Sequence, residues 1–154
     1  KSSHVQADLK WSTSWLVLEM PRKSWEEYAL SLASAASERS EDPYQKVGAC
    51  ALGWDHEVLG LGYNGLQAGK NVEPSFWEDR DSRRPYMIHA EVNCLAGVER
   101  NKCKVLAVTL LACAYCATLI AAHEIPHVVY RDVYERDTKA LDIFKFYDIE
   151  LIKL

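Results

Sequence analysis

The stretch VLAVTLLACAYCATLIAAH, residues 105–123, changes character in its middle. Val105 to Leu111 is an apolar run interrupted only by Thr109, the pattern of a buried strand. Cys113 to His123 reads as a helix, and Pro126 lies just past its end. At the junction stand Cys113 and Cys116, separated by two residues. Such a pair can be a redox disulfide, half of a structural metal site, part of a catalytic metal site, or two small core residues. The pair alone does not decide, so the neighbouring segments must.

Upstream, MIHAEVNCLAGVE reads as another helix. Downstream, HVVY reads as a strand, DTKALDIFKFY as a helix and IELIKL as a closing strand. Nearer the start, SWEEYALSLASAASERS is a helix, with Ser24 and Glu27 at capping-box spacing. EDPYQK breaks it. Val47 to Gly53 and Val58 to Tyr63 are apolar runs joined by WDHE, the pattern of a hairpin. Asn64 to Pro85 is a long polar stretch, of the kind that is functional or mobile in a compact domain. The order α-β-β-α-β-α-β-α-β puts helices on a mostly parallel sheet, made mixed by the hairpin. Residues 1–20 read as an arm or tail and 21–154 as one domain. A short helix is expected near Ser14 to Met20, with Trp11 and Trp15 docking on the domain or on a neighbouring subunit.

At 154 residues the chain suits one domain with a real core. Formal net charge is -4 and the pI is near 5.7. That balance argues against a protein that wraps nucleic acid, although it permits a local basic pocket for one phosphate. No run of about twenty apolar residues suggests a membrane helix. Five cysteines is an odd number, with Cys50, Cys94 and Cys103 standing alone. The expectation is a reducing compartment, cytoplasmic or nuclear, in which a Cys-x-x-Cys pair leans toward metal or redox chemistry. Cys50 and Cys94 are expected in the core and Cys103 as a surface thiol in a polar turn. His56, His123 and His127 are expected to be structural or solvated.

Two thiolates are too few for zinc, which prefers four ligands in a structural site. A catalytic site needs three protein ligands and leaves the fourth position to water. HAEVN offers His89 and, two residues on, Glu91. With His89 opening one helix and the cysteines opening the other, the three side chains can meet at one ion. Glu91 then lies near it without binding. Helix N-termini favour thiolates, and both halves fall at expected strand-to-helix junctions, where open sheets bind ligands. A redox reading of the cysteines leaves His89 and Glu91 unexplained.

The combination H-A-E followed by C-x-x-C resembles the cytidine and deoxycytidylate deaminase superfamily. The likeness continues in RKSWEEYALSLASAASERSEDPYQKVGA, in GLGYNG, in EDRDSRRPYMIHAEVN and in IPHVVYRD, so it runs from about Pro21 to the C-terminus. It is closest to the deoxycytidylate type. One position departs from the pattern: Ala112 stands where the family usually has proline before the first cysteine. Proline there would favour a helix start, so its absence should loosen the loop slightly.

The resemblance implies a three-layer α/β/α sandwich around a five-stranded mixed sheet. It implies Zn2+ on His89, Cys113 and Cys116, with Glu91 moving protons during hydrolytic deamination of a cytosine nucleotide, dCMP to dUMP plus ammonia. It places Asn64 and Ala90 against substrate, and Tyr115 at the pocket floor or its opening. Gly62 and Gly65 beside Asn64 are expected to allow tight turns. A 5′-phosphate calls for a cation at the mouth, and Lys46, Arg80, Arg83 and Arg84 are the leading candidates for phosphate or effector contact. Lys70 and Arg131 are further ones. Homo-oligomers, dimers or hexamers, and dCTP or dTTP effectors near residues 64–85 belong to the same implication. Competing readings are a dCTP, cytidine or deoxycytidine deaminase, a nucleic-acid-editing deaminase, and a zinc domain without catalysis. Glu91 argues against the last.

Overall fold

The computed structural model describes residues 21–134 and 137–154. The expected arm at residues 1–20 lies outside the described residues. Helix α1 spans Trp25–Ser37, and its capping box forms: the Glu27 N–H donates to the Ser24 hydroxyl while the Ser24 N–H donates to the Glu27 carboxylate. The hairpin is β1 (Gly48–Gly53) and β2 (Val58–Tyr63). After it come a 3-10 turn at Pro74–Trp77, helix α2 (Arg80–Arg83), a second 3-10 turn at Arg84–Tyr86 and helix α3 (Ala90–Leu95). Then follow β3 (Cys103–Leu110), α4 (Ala114–Ala122), β4 (His127–Asp132), α5 (Lys139–Phe146) and β5 (Glu150–Lys153).

The five strands form one mixed sheet in the order β2-β1-β3-β4-β5. β1 is antiparallel to both neighbours, whereas β3, β4 and β5 run parallel. The sheet is therefore half parallel rather than mostly so, because β3 runs against β1 as well as the hairpin strand does. Alternation along β3 builds the layers. Val105 and Ala107 pack with Ala29 and Ala33 of α1 on one face. Leu106 and Val108 pack with Cys94, Ile120 and Phe144 of α3, α4 and α5 on the other. This is the expected α/β/α sandwich.

Three local expectations change. The polar stretch after Asn64 is not a plain loop. Asp79 caps α2 by accepting from the Asp81 N–H, and Pro74 and Pro85 open the 3-10 turns. Cys103 is fully buried as the first residue of β3, and burial pushes its thiol up to about 12. Gly62 is not a turn residue: it lies in β2, where a Cβ would run into the backbone N of Cys94 and the carbonyl of Ala90. It lets α3 lie against the sheet. Gly65 has open space around it and no positive φ. We therefore expect Gly62→Ala to cost roughly 1–3 kcal/mol of stability, the range for overpacking. Gly65→Ala should be nearly neutral in the same melting experiment.

Candidate active site

Two helix starts meet at one end of the parallel strands. Cys113 is the N-cap of α4, with extended backbone at φ −72° and ψ 170°. Its Sγ accepts the N–H of Cys116 at 3.4 Å, so the spacing of the two cysteines is the spacing of a helix cap and its partner. Ala112 lies one residue outside that cap and is buried. The helix start is thus made by Cys113, and alanine in place of the family proline leaves it intact. His89 is the N-cap of α3. It follows an isolated bridge between Ile88 and Gly65, not a strand, so only the cysteine half sits at a strand-to-helix junction.

His89, Cys113 and Cys116 converge. The His89 Nδ1 is 3.5 Å from the Cys113 Sγ and 3.3 Å from the Cys116 Sγ. All three donor atoms lie within 4.8 Å of one another. A tetrahedral zinc with ordinary Zn–S and Zn–N bonds sets its N and S donors about 3.6 Å apart. The site therefore fits zinc in both spacing and donor type. Hydrogen bonds from Cys116 and His89 outweigh burial and pull the Cys113 thiol down to about 4. Its hydrogen bond to Cys113, and then burial, push the Cys116 thiol up. The hydrogen bond with Cys113 raises the His89 imidazole, and burial, with a smaller part from the Arg84 charge, opposes that.

Glu91 is the second residue of α3 and is only 3% exposed. Burial raises its carboxyl above the usual carboxylate range, against the pull of its own backbone N–H and of His89. A cavity of about 570 Å³ opens onto this group. Glu91, His89, Ala90 and Cys113 line its floor side, and Asn64, Arg80, Arg83 and Arg84 line it as well.

The other candidate residues separate. Asn64 reaches the cavity, but its amide holds the neighbouring loop: Nδ2 donates to the Gln45 carbonyl at 2.8 Å and Oδ1 accepts the Val47 N–H at 2.9 Å. Arg83 is buried in a two-pronged ion pair with Asp42. Burial works to raise the Asp42 carboxyl. The hydrogen bonds from Arg83 and from the Tyr44 and Gln45 N–H groups outweigh it and leave the group below its ordinary value. Arg80 and Arg84 are exposed at the cavity. Tyr115 is 80% exposed and does not line the cavity, because its place on α4 turns it to solvent. Lys46 is also exposed and outside the lining. His127 pairs with Glu150 at 3.4 Å, in keeping with a structural role. Sequence reasoning missed Asp42, which stood inside a helix-breaking EDPYQK. The only hint was a Ser-x-Asp just before a proline, a pattern that favours side-chain to backbone turns. Tyr134 and Asp137, which also line the cavity, carried no signal at all.

The comparisons agree with this geometry. The profile described as the cytidine and deoxycytidylate deaminase zinc-binding region matches residues 23–132. The deoxycytidylate deaminase of Mus musculus is 34% identical over 134 residues, 79% of this chain and 74% of that one. The deoxycytidylate deaminase of Mycobacterium phage D29 is 36% identical over 125 residues, 72% of this chain and 97% of that one. Among solved structures, the dCMP deaminase of cyanophage S-TIM5, crystallised with dCMP and dUMP, superposes with a TM-score of 0.73 at 25% identity. That match covers 87% of this chain and 99% of the phage enzyme. A zinc-type donor set at two helix starts, a buried glutamate beside it and these matches lead to one conclusion: this chain belongs to the zinc-dependent cytidine and deoxycytidylate deaminase family.

Proposed function

We propose that the protein hydrolyses dCMP to dUMP and ammonia, as the names of its relatives suggest. The observation that carries the reading is Glu91, a buried carboxyl beside a zinc-type cluster on the wall of a nucleotide-sized cavity. His89, Cys113 and Cys116 would hold the ion, whose Lewis acidity lowers the pKa of a water toward neutrality. Glu91 would take one proton from such a water as its oxygen adds to C4 of the ring. A carboxyl raised by burial holds a proton better than an exposed one, so Glu91 can then deliver it to N3 of the cytosine ring. The second proton, passed by Glu91 from the oxygen now bonded to C4 to the 4-amino nitrogen, would let the C4–N bond break, releasing ammonia and leaving the C4 carbonyl of uracil. Ala90, buried next to Glu91 at the start of α3, lines the cavity where the base would lie. Asn64, which also lines the cavity, holds the loop before β1 through its bonds to Gln45 and Val47. Arg80 and Arg84 supply positive charge for a 5′-phosphate. Homo-oligomers and control by dCTP or dTTP are part of the same reading.

The test is a substrate panel of dCMP, dCTP, deoxycytidine and a cytosine-containing oligonucleotide, followed by ammonia release from the zinc-loaded protein. We expect dCMP to be the best substrate. Reaction of the oligonucleotide alone would sink the reading, and so would silence toward all four.

A further inference from the structure

The buried pair of Arg83 and Asp42 has no part in the proton transfers described above. Arg83 is 2% exposed and Asp42 6%. The two guanidinium Nη atoms donate to the two carboxylate oxygens at 3.0 and 2.9 Å. The guanidinium also lies 5.1 Å from the ring centres of both Tyr44 and Trp77. Its Nε is buried without a hydrogen-bond partner among the described residues. Taking two charges and an unpartnered N–H out of water makes the pair a poor stabiliser. What a two-pronged fork does well is fix distance and orientation together.

The pair joins two segments that wall the cavity. Asp42 holds the turn before β1, since its Oδ1 accepts the Tyr44 and Gln45 N–H groups. Arg83 closes α2 on the other segment. A second tie runs alongside, where the Tyr44 hydroxyl donates to the Glu78 carbonyl at 3.0 Å. Arg80 and Arg84 sit on the same turn as Arg83, exposed and lining the cavity. Neither forms an ion pair among the described residues. The Arg80 guanidinium rests 5.7 Å from the ring of Tyr134 across the cavity wall.

We propose that Asp42 and Arg83 are positioning residues that lock the 80–84 turn so that Arg84, with Arg80, meets the substrate 5′-phosphate and selects nucleotide over nucleoside. The inference rests on the deoxycytidylate reading above. Arg83 does not itself meet the phosphate, because Asp42 holds two of its N–H groups.

Steady-state kinetics on zinc-loaded protein with dCMP and deoxycytidine test it. Wild type should favour dCMP in kcat/KM by about tenfold or more. Arg84→Gln should lose at least about ten times more on dCMP than on deoxycytidine, mainly through KM. Asp42→Asn should show the same selective loss with zinc content retained. That variant leaves Arg83 as a buried unpaired charge, so Asp42→Asn/Arg83→Met is measured beside it, with melting curves for both. The charge-free double variant should fold and keep the selective loss. In Asp42→Asn/Arg84→Gln the two losses should be far from additive, because Asp42 acts through Arg84.

Full additivity, equal losses on both substrates, or wild-type selectivity in a folded Asp42→Asn/Arg83→Met protein overturns the positioning role. A wild type that turns over deoxycytidine as well as dCMP overturns the phosphate recognition while the deaminase reading stands. A zinc-loaded wild type inert toward both removes the deoxycytidylate reading and this inference with it.

Discussion

Glu91→Gln should keep its zinc and lose turnover by roughly three or more orders of magnitude, since one residue serves more than one proton transfer. The substitution nearly preserves size and shape but replaces a carboxyl that can gain and lose a proton with an amide that cannot do so near neutral pH. Glu91 is buried at the cavity beside the donor cluster, and no other carboxyl is grouped with that cluster among the described residues. It is not among the three donors that cluster, so the ion should remain. A buried carboxylate also carries a desolvation cost that glutamine avoids, so the variant should melt no lower than wild type. Metal content by atomic spectroscopy, the melting curve and kcat together check this. Turnover within about tenfold of wild type would remove Glu91 from the proton path.

Cys116→Ser should lose both zinc and activity. Cys116 is fully buried on the first turn of α4, with its sulfur 3.3 Å from the His89 Nδ1. A hydroxyl is a far weaker zinc ligand than a thiolate and cannot reach the same bond length. Two donors remain, too few for a catalytic site. Zinc that binds only the folded state stabilises it by about 4 kcal/mol at a thousandfold excess over Kd. Wild type should therefore melt higher with zinc than after chelation, and Cys116→Ser should show no such gap. A variant that keeps stoichiometric zinc through dialysis would displace Cys116 from the ligand set.

The element order was legible because the apolar periods were clean, as in Val105 to Leu111 followed by the helix at Cys113. The metal cluster was legible because its geometry is local: a cap and its third residue bring two sulfurs together, and a second cap supplies the imidazole. The cavity walls were not. Asp42 and Arg83 are 41 residues apart, and nothing in either segment announces a partner. In a charged run such as EDRDSRR, solvation is the ordinary state, and only the tertiary structure shows which arginine is buried. Gly62 misled for a related reason. A glycine near Asn and Gly suggests a turn, whereas its absent Cβ makes room for α3. Tyr115 shows the same limit from the other side, because spacing alone does not tell which way a helical aromatic faces.

Hydrolysis by an activated water is the central claim, and oxygen labelling tests it most directly. Zinc-loaded protein is incubated with dCMP in oxygen-18 water, and the product is read by mass spectrometry. The account predicts dUMP carrying a single heavy oxygen at C4, released with one ammonia per dCMP consumed. Recovery of intact dCMP, or of dUMP without the heavy oxygen, would contradict it.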